Sequence, residues 1–152
     1  MLFDTVYLAR HGQTEWNVTG RRQGRLDSPL TPLGIDQASR NAVLLSTRQI
    51  DAVFTSPLAR ARRTAQIIAD GLGLPVAVLV AGTGSRRPLL VSHEMIGRMP
   101  AKQLAGLTPA EALVRDQPSD VVYVMVADGA IDILKSAGQV PVRFIAEEPT
   151  QL

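Results

Sequence analysis

Cysteine is absent from the 152-residue chain. That excludes disulfides, thiolate metal sites and a cysteine nucleophile. No stretch of about 18 uncharged apolar residues occurs, which excludes a membrane-spanning helix and argues against a membrane partner. The opening Met1-Leu2-Phe3-Asp4 lacks the basic-then-apolar order of a signal peptide, so a cytoplasmic location is the expectation. Aromatic residues make up only 4%, and the net charge is +2. A nucleic-acid footprint needs a basic stripe interleaved with aromatics, so no nucleic-acid partner is expected. What is present is 45% hydrophobic and 20% charged residues, the composition of one folded domain and not of a disordered chain. No internal repeat and no dividing linker is visible. The expectation is a single domain over 1–140 and a weakly patterned tail over 141–152.

Lysine is scarce as well. Only Lys102 and Lys135 occur, so 14 of the 16 basic residues are arginine. A GC-rich genome accounts for such a total. It does not account for where individual arginines sit, and arginine suits planar recognition of phosphate or carboxylate.

The apolar and β-branched run at 5–9 predicts a buried strand leading into Arg10-His11-Gly12. A polar loop over 13–30 follows, with two glycines and a cluster of arginines. Thr31-Pro32 opens a helix, Thr as N-cap and Pro at the first helical position, with Ile35, Ala38, Ala42 and Leu45 as its apolar face. A second strand spans 51–55. Ser56-Pro57 starts a helix over 58–72 that ends near Gly71 and Gly73. Strands at 75–80 and 88–92 flank a small loop at 81–87, and the later one leads into His93. A helix from about 93 to 104, with Pro100 interrupting it, comes next. Segments 121–126 and 130–134 flank Asp128-Gly129, which predicts a two-residue hairpin turn. Alternating strands and helices argue for an α/β fold. The closing hairpin makes the mostly parallel sheet mixed, with helices on both faces.

The chain has two histidines, His11 and His93, each just past a predicted buried strand. Ligands of open α/β sheets bind beyond the carboxyl ends of strands. A third strand end leads within about one helical turn to Arg60. Two imidazoles and two guanidiniums, Arg10 and Arg60, then form a cup for a tetrahedral dianion. A neutral imidazole nitrogen can attack phosphorus and become phosphorylated. The second histidine, when protonated, stabilises charge on the transferring group. Two histidines and no acidic cluster supply no ligand set of metal type, so no metal and no cofactor is expected.

The run Leu8-Ala9-Arg10-His11-Gly12-Gln13-Thr14-Glu15-Trp16-Asn17 resembles the signature of the histidine phosphatase superfamily in its phosphoglycerate-mutase-like branch. The likeness continues through Gln23-Gly24, Asp27, Pro29-Leu30-Thr31, Gly34 and Gln37-Ala38. It resumes at Phe54-Thr55-Ser56-Pro57-Leu58, Arg60-Ala61, Thr64-Ala65 and Leu90-Val91-Ser92-His93, with Arg98 beyond. It covers 1 to about 80 and about 86 to 136. The resemblance implies a three-layer phosphoglycerate-mutase-like fold and a metal-independent reaction on a small phosphorylated substrate. It further implies His11 as the nucleophile, with Arg10, Arg60 and His93 completing the phosphate pocket. By the same resemblance Asn17 orients phosphate, and Gln23 and Gly24 lie near the rest of the substrate.

One departure from the family pattern matters. Members usually carry a long lid segment after the third strand, with an acidic residue in a pattern like E-x-x-x-G-x-W-E-G that protonates the leaving oxygen. Only 81–87 occupies that interval here, and Trp16 is the sole tryptophan. A positioned acid contributes 10²–10⁴-fold, about 3–5 kcal/mol. Glu94, directly after His93, is the tentative general acid, by resemblance to the superfamily's acid phosphatases; a helix-start carboxylate, favoured there by the helix dipole, is the plainer reading of it. A substrate with a good leaving group, or a phosphohistidine, needs less acid help. The expectation is a phosphatase working through a phosphohistidine on His11. A weakly active or inactive phosphate-binding member is the alternative, with a phosphoglycerate mutase behind it. Surface left uncovered by a missing lid leaves a homodimer open.

Overall fold

The computed structural model describes residues 4–78, 86–93, 119–126 and 131–135. Six strands form one sheet: β1 (Thr5–Arg10), β2 (Ala52–Thr55), β3 (Val76–Val78), β4 (Pro88–Ser92), β5 (Val121–Val126) and β6 (Ile131–Lys135). Three helices accompany them: α1 (Glu15–Val18), α2 (Pro32–Leu45) and α3 (Ala59–Leu72). The strand order is β3-β2-β4-β1-β5-β6. Strands β3, β2, β4 and β1 run parallel, and β5 and β6 add antiparallel neighbours, so the sheet is mixed and mostly parallel.

The strand order brings distant parts of the chain together. The chain leaves β1, builds β2 and β3, and returns with β4 into the slot between β2 and β1. In that register Arg10 pairs with Ser92 and Thr55 with Val91. The residues one step beyond, His11, His93 and Ser56, therefore emerge side by side although up to 82 positions separate them in the chain.

Strand β1 is buried on both faces, as its unbroken apolar run implies. Tyr7 and Ala9 join Val53, Leu89, Val91, Val122 and Val124 in a core completed by α2 and α3. Val6, Leu8 and Phe54 take the alternate positions and are buried too, so the sheet is covered on both faces, as three layers require. The helices meet through Ala38, Ala42, Ala61, Ala65 and Ala69, whose small side chains let the two backbones approach closely. No helix among the described residues is long and apolar enough to cross a membrane.

Helix α2 starts at Pro32 behind an N-cap Thr31 whose side chain accepts from the Gly34 amide, as the sequence signals. Helix α3 ends at a left-handed Gly73. Three readings change. Ile35 is 42% exposed, and Gly34 and Asn41 take buried positions instead; the apolar stripe of α2 is rotated toward α3 and the β1 loop. The loop after β1 contains the one-turn helix α1, closed by a capping box in which Thr14 and Asn17 exchange hydrogen bonds. Third, α3 runs Ala59–Leu72 with Leu58 as an N-cap residue that makes no side-chain cap, and the Ser56 hydroxyl bonds His93. The hairpin is present as the β5–β6 pairing. Its turn residues Asp128-Gly129, the helix expected at 93–104 and the tail at 141–152 lie outside the described residues, and the loop 81–87 lies mostly outside them.

Two glycines are dictated by close approach. A Cβ on Gly12 would overlap the Gly34 carbonyl, and one on Gly34 would overlap the backbone of Gln13. The start of α2 thus lies directly on the segment that carries His11. Gly34→Ala is expected to cost about 3 kcal/mol, because only backbone can yield. Urea unfolding of the variant checks this, and a loss under about 0.5 kcal/mol, the level of an ordinary surface change, would show that the contact is looser than described.

Candidate active site

The carboxyl edge of the sheet is tied together by backbone bonds. The His11 amide donates to the Ser92 carbonyl at 3.0 Å, and the Ser56 amide to the Val91 carbonyl at 3.3 Å. The two imidazoles then lie with centroids 5.3 Å apart and planes tilted by 54°. That separation lets both rings reach one shared anion.

His11 is 4% exposed. Its Nδ1 lies 2.8 Å from the Gly12 carbonyl oxygen. A carbonyl only accepts, so Nδ1 carries the proton and the lone pair is on Nε2. The following amide, Gly12, donates to the Thr64 hydroxyl at 3.0 Å, and that hydroxyl donates to the Arg60 carbonyl at 2.8 Å. Helix α3 therefore holds the loop that orients the ring. Burial pushes the His11 pKa down to about 4; the Gly12 carbonyl opposes this, and the charges of Arg10 and Arg60, with His93, reinforce it.

His93 shares a 2.6 Å hydrogen bond between its Nε2 and the Ser56 hydroxyl, while its Nδ1 is buried with no partner. Burial, then Arg60 and Arg10, push its pKa down to about 4 against the opposing pull of Asp27. Both rings are thus neutral at pH 7. The protonated His93 considered from the sequence is not its resting form; a bound dianion would be the charge that draws a proton onto it.

Arg60 is 5% exposed and more committed than the sequence suggests. Its Nη1 donates to the Leu26 carbonyl and to Asp27 Oδ1, both at 2.7 Å, and its Nη2 to the Gly24 carbonyl at 3.0 Å. Only Nε is buried without a partner. Asp27 also accepts from the amides of Ala59 at 2.8 Å and Arg60 at 3.3 Å, so it caps α3 from a distant loop. Partial burial works to raise the Asp27 pKa, but these amides and the Arg60 guanidinium outweigh it and hold the carboxylate below its usual range. Arg60 and Asp27 together fasten segment 24–27 to α3.

Asn17 Oδ1 accepts from the Thr14 amide and hydroxyl, both at 2.9 Å. Gln23 is 9% exposed, and its Oε1 accepts from Ser28, whose hydroxyl in turn accepts from the Trp16 amide. Gly24 sits at φ +52°, in the left-handed region that favours glycine. Arg10, His11, Asn17, Gln23, Gly24, Arg60 and His93 all line one cleft of about 690 Å³. Glu94 lies outside the described residues. Thr64 and Asp27 were visible only as letters of the matched motifs, and Ser56 only as such a letter and as a helix start. Trp16 and Arg21, Arg22 and Arg25, which also line the cleft, were visible only as a motif letter and a basic cluster. No acidic side chain lines the cleft among the described residues. Among them, too, no group of three His, Cys, Asp or Glu could hold a metal ion.

Residues 6–81 match the sequence model of the histidine phosphatase superfamily (branch 1). A "Probable phosphoglycerate mutase GpmB" of Serratia proteamaculans is 43% identical over 126 residues, 83% of this chain and 53% of that protein. A 2-carboxy-D-arabinitol-1-phosphatase of Triticum aestivum is 56% identical over 66 residues, 43% of this chain and 13% of that protein. The chain spans about half the length of the mutase relatives it matches. Among solved structures, a phosphoserine phosphatase of Entamoeba histolytica with 3-phosphoglyceric acid superposes with TM-score 0.70 at 20% identity, over 96% of this chain and 98% of that one. A mycobacterial glucosyl-3-phosphoglycerate phosphatase with VO3 gives TM-score 0.69 at 21% identity, over 80% and 90%. At these identities the structures speak for the fold, a phosphoglycerate-mutase-like α/β sandwich.

With only two histidines to assign, proton NMR reads both rings directly. Neither ring is expected to titrate above about pH 5, and both should protonate near pH 4. The folded state holds His11 neutral where the unfolded chain would protonate it. His11 therefore contributes stability present above pH 6.5 and lost as pH falls toward 4, about 3 kcal/mol. A ring titrating near 6.5 would contradict the burial described.

Proposed function

This chain belongs to the histidine phosphatase superfamily, branch 1, and on that premise we propose that it is a phosphatase acting through a phosphohistidine on His11. The observation that carries the reading is the buried neutral His11, its Nδ1 proton committed to the Gly12 carbonyl so that the lone pair is on Nε2, with the His93 ring centroid 5.3 Å from its own. Such a nitrogen is a nucleophile at neutral pH and needs no base to activate it.

In the first half-reaction Nε2 attacks phosphorus in line, the Nε2–P bond forms and the ester P–O bond breaks. The leaving oxygen departs with the bonding pair. Arg10, His93 and the Nε of Arg60 are the donors we assign to the non-bridging oxygens, which would also give partners to the buried Nδ1 of His93 and Nε of Arg60. In the second, water attacks phosphorus, the P–N bond breaks, and inorganic phosphate leaves with His11 restored. The route needs no metal ion. Asn17 orients the phosphate, and Gln23 and Gly24 meet the rest of a small phosphorylated substrate.

The leaving oxygen needs a proton only when it is a poor leaving group. Glu94, next to His93 in the chain, is the acid we assign to that step. The lack of any acidic side chain on the described cleft wall is the observation that favours a second reading, a phosphate-binding member with little turnover.

Hydrolysis of an aryl phosphate in excess chelator separates the two. The phosphatase reading expects turnover that falls at least 10³-fold in His11→Ala; turnover equal in the two proteins, or absent from both, rejects it. Glu94→Gln is expected to slow an alkyl phosphate at least tenfold more than an aryl one, because the alkoxide is the poorer leaving group. Equal effects would remove Glu94 from the reaction.

A further inference from the structure

The two imidazoles of the cleft are oriented by different kinds of partner. His11 gives its Nδ1 proton to a backbone carbonyl, which can only accept. His93 meets a hydroxyl instead, Ser56 Oγ, at its Nε2. A hydroxyl donates or accepts, so the proton of the neutral His93 ring could sit on either nitrogen. Which nitrogen carries it decides whether His93 offers a phosphoryl group a donor or a lone pair.

Three features favour Nδ1. The Oγ–Nε2 separation is 2.6 Å. That is shorter than the range of about 2.7–3.2 Å for an N–H donating to oxygen, and it suits an O–H donor. Ser56 Oγ has no other hydrogen-bond partner among the described residues, so the ring nitrogen is the acceptor it has. Lastly, Nδ1 of His93 is buried without a partner. A bare lone pair there would repel the anion that the cup gathers, whereas an N–H would meet one of its oxygens.

Ser56 is fixed for this task and is not needed for another. Its amide donates to the Val91 carbonyl at 3.3 Å, and its carbonyl accepts from the Thr55 hydroxyl at 3.1 Å. Pro57 restricts the Ser56 backbone to extended conformations. Hydroxyl and ring are thus carried on neighbouring strand ends, 37 positions apart in the chain. The hydroxyl does not cap α3, since Asp27 takes the amides of Ala59 and Arg60.

We propose that Ser56 is a positioning residue: its hydroxyl donates to Nε2 of His93 and so holds the ring proton on Nδ1, as a donor ready for a phosphoryl oxygen. When a bound dianion draws a second proton onto the ring, that proton goes to Nε2, and the hydroxyl turns to accept it. The part Ser56 plays in turnover rests on the phosphatase reading; the tautomer does not.

Nitrogen-15 NMR of the imidazoles at pH 7 reads the tautomer in the resting protein, and His93→Gln assigns the two rings by removing one set of signals. His93 is expected to be protonated on Nδ1. In Ser56→Ala its proton should move wholly or partly to Nε2, the form free histidine prefers, while His11 is unchanged. Ser56→Thr should keep the wild-type pattern. A wild-type His93 protonated on Nε2, or a tautomer unmoved in Ser56→Ala, overturns the proposal. If Ser56→Ala does not fold, Ser56→Cys takes its place, because a thiol is a weak donor. Calorimetry with inorganic phosphate is expected to show binding weakened about tenfold in Ser56→Ala and restored in Ser56→Thr, as loss of one hydrogen bond to a charged group implies. Hydrolysis of an aryl phosphate should follow the same order in kcat/KM. A shifted tautomer with phosphate binding unchanged overturns the role given to Ser56. If none of the proteins hydrolyses the ester, the phosphatase reading fails, and the spectra and phosphate binding still decide the part of Ser56.

Discussion

The hydrogen bond from His11 Nδ1 to the Gly12 carbonyl is the constraint on which the rest of the site depends. It fixes which nitrogen is the nucleophile, and it works only because the carbonyl is immobile. Gly12 is held from one side by Thr64 on α3 and pressed from the other by Gly34 at the start of α2. Those contacts trace back to the sheet order, since β1 and β4 must be neighbours before the two histidines can meet. The tautomer of one ring is thus set by packing that extends through both helices.

Charge is divided by depth. Arg60, which sequence reasoning assigns wholly to phosphate, spends most of its donors on carbonyls and on Asp27. Its burial is tolerable because those partners satisfy it. What it supplies to the site is positioning of the 24–27 segment, plus the one nitrogen still unengaged. Arg86 and Arg87, part of a glycine-rich stretch that superficially suggests a phosphate loop, sit just before β4 and bind Asp4, Asp51 and the Gln49 carbonyl. They stand at the opposite edge of the sheet from His93 and serve the connection.

Much of this was legible in the residues. The buried run at 5–9, the Thr31-Pro32 start of α2 and the Gly73 stop of α3 are local signals and appear where they should. The meeting of His11 with His93 was legible from two histidines at strand ends combined with a long motif. Contacts made at a distance were not legible. Asp27 capping α3 joins residues about 32 positions apart, and Gly12 against Gly34 is a backbone contact that leaves no mark on hydrophobic pattern. Ile35 fits the helical period of α2 and is still 42% exposed, while Gly34 beside it lies against the Gln13 backbone. Ser56 has the form of a helix start, yet its hydroxyl serves His93.

The measurement that bears most directly on this constraint is the site of phosphorylation after acid-free trapping during turnover of an aryl phosphate, resolved by phosphorus NMR and peptide mapping. A single phosphoryl group on Nε2 of His11 is the predicted result. Phosphate on Nδ1 of His11, or on His93, would contradict it, because the Gly12 carbonyl would then not be holding the proton that leaves Nε2 free to attack.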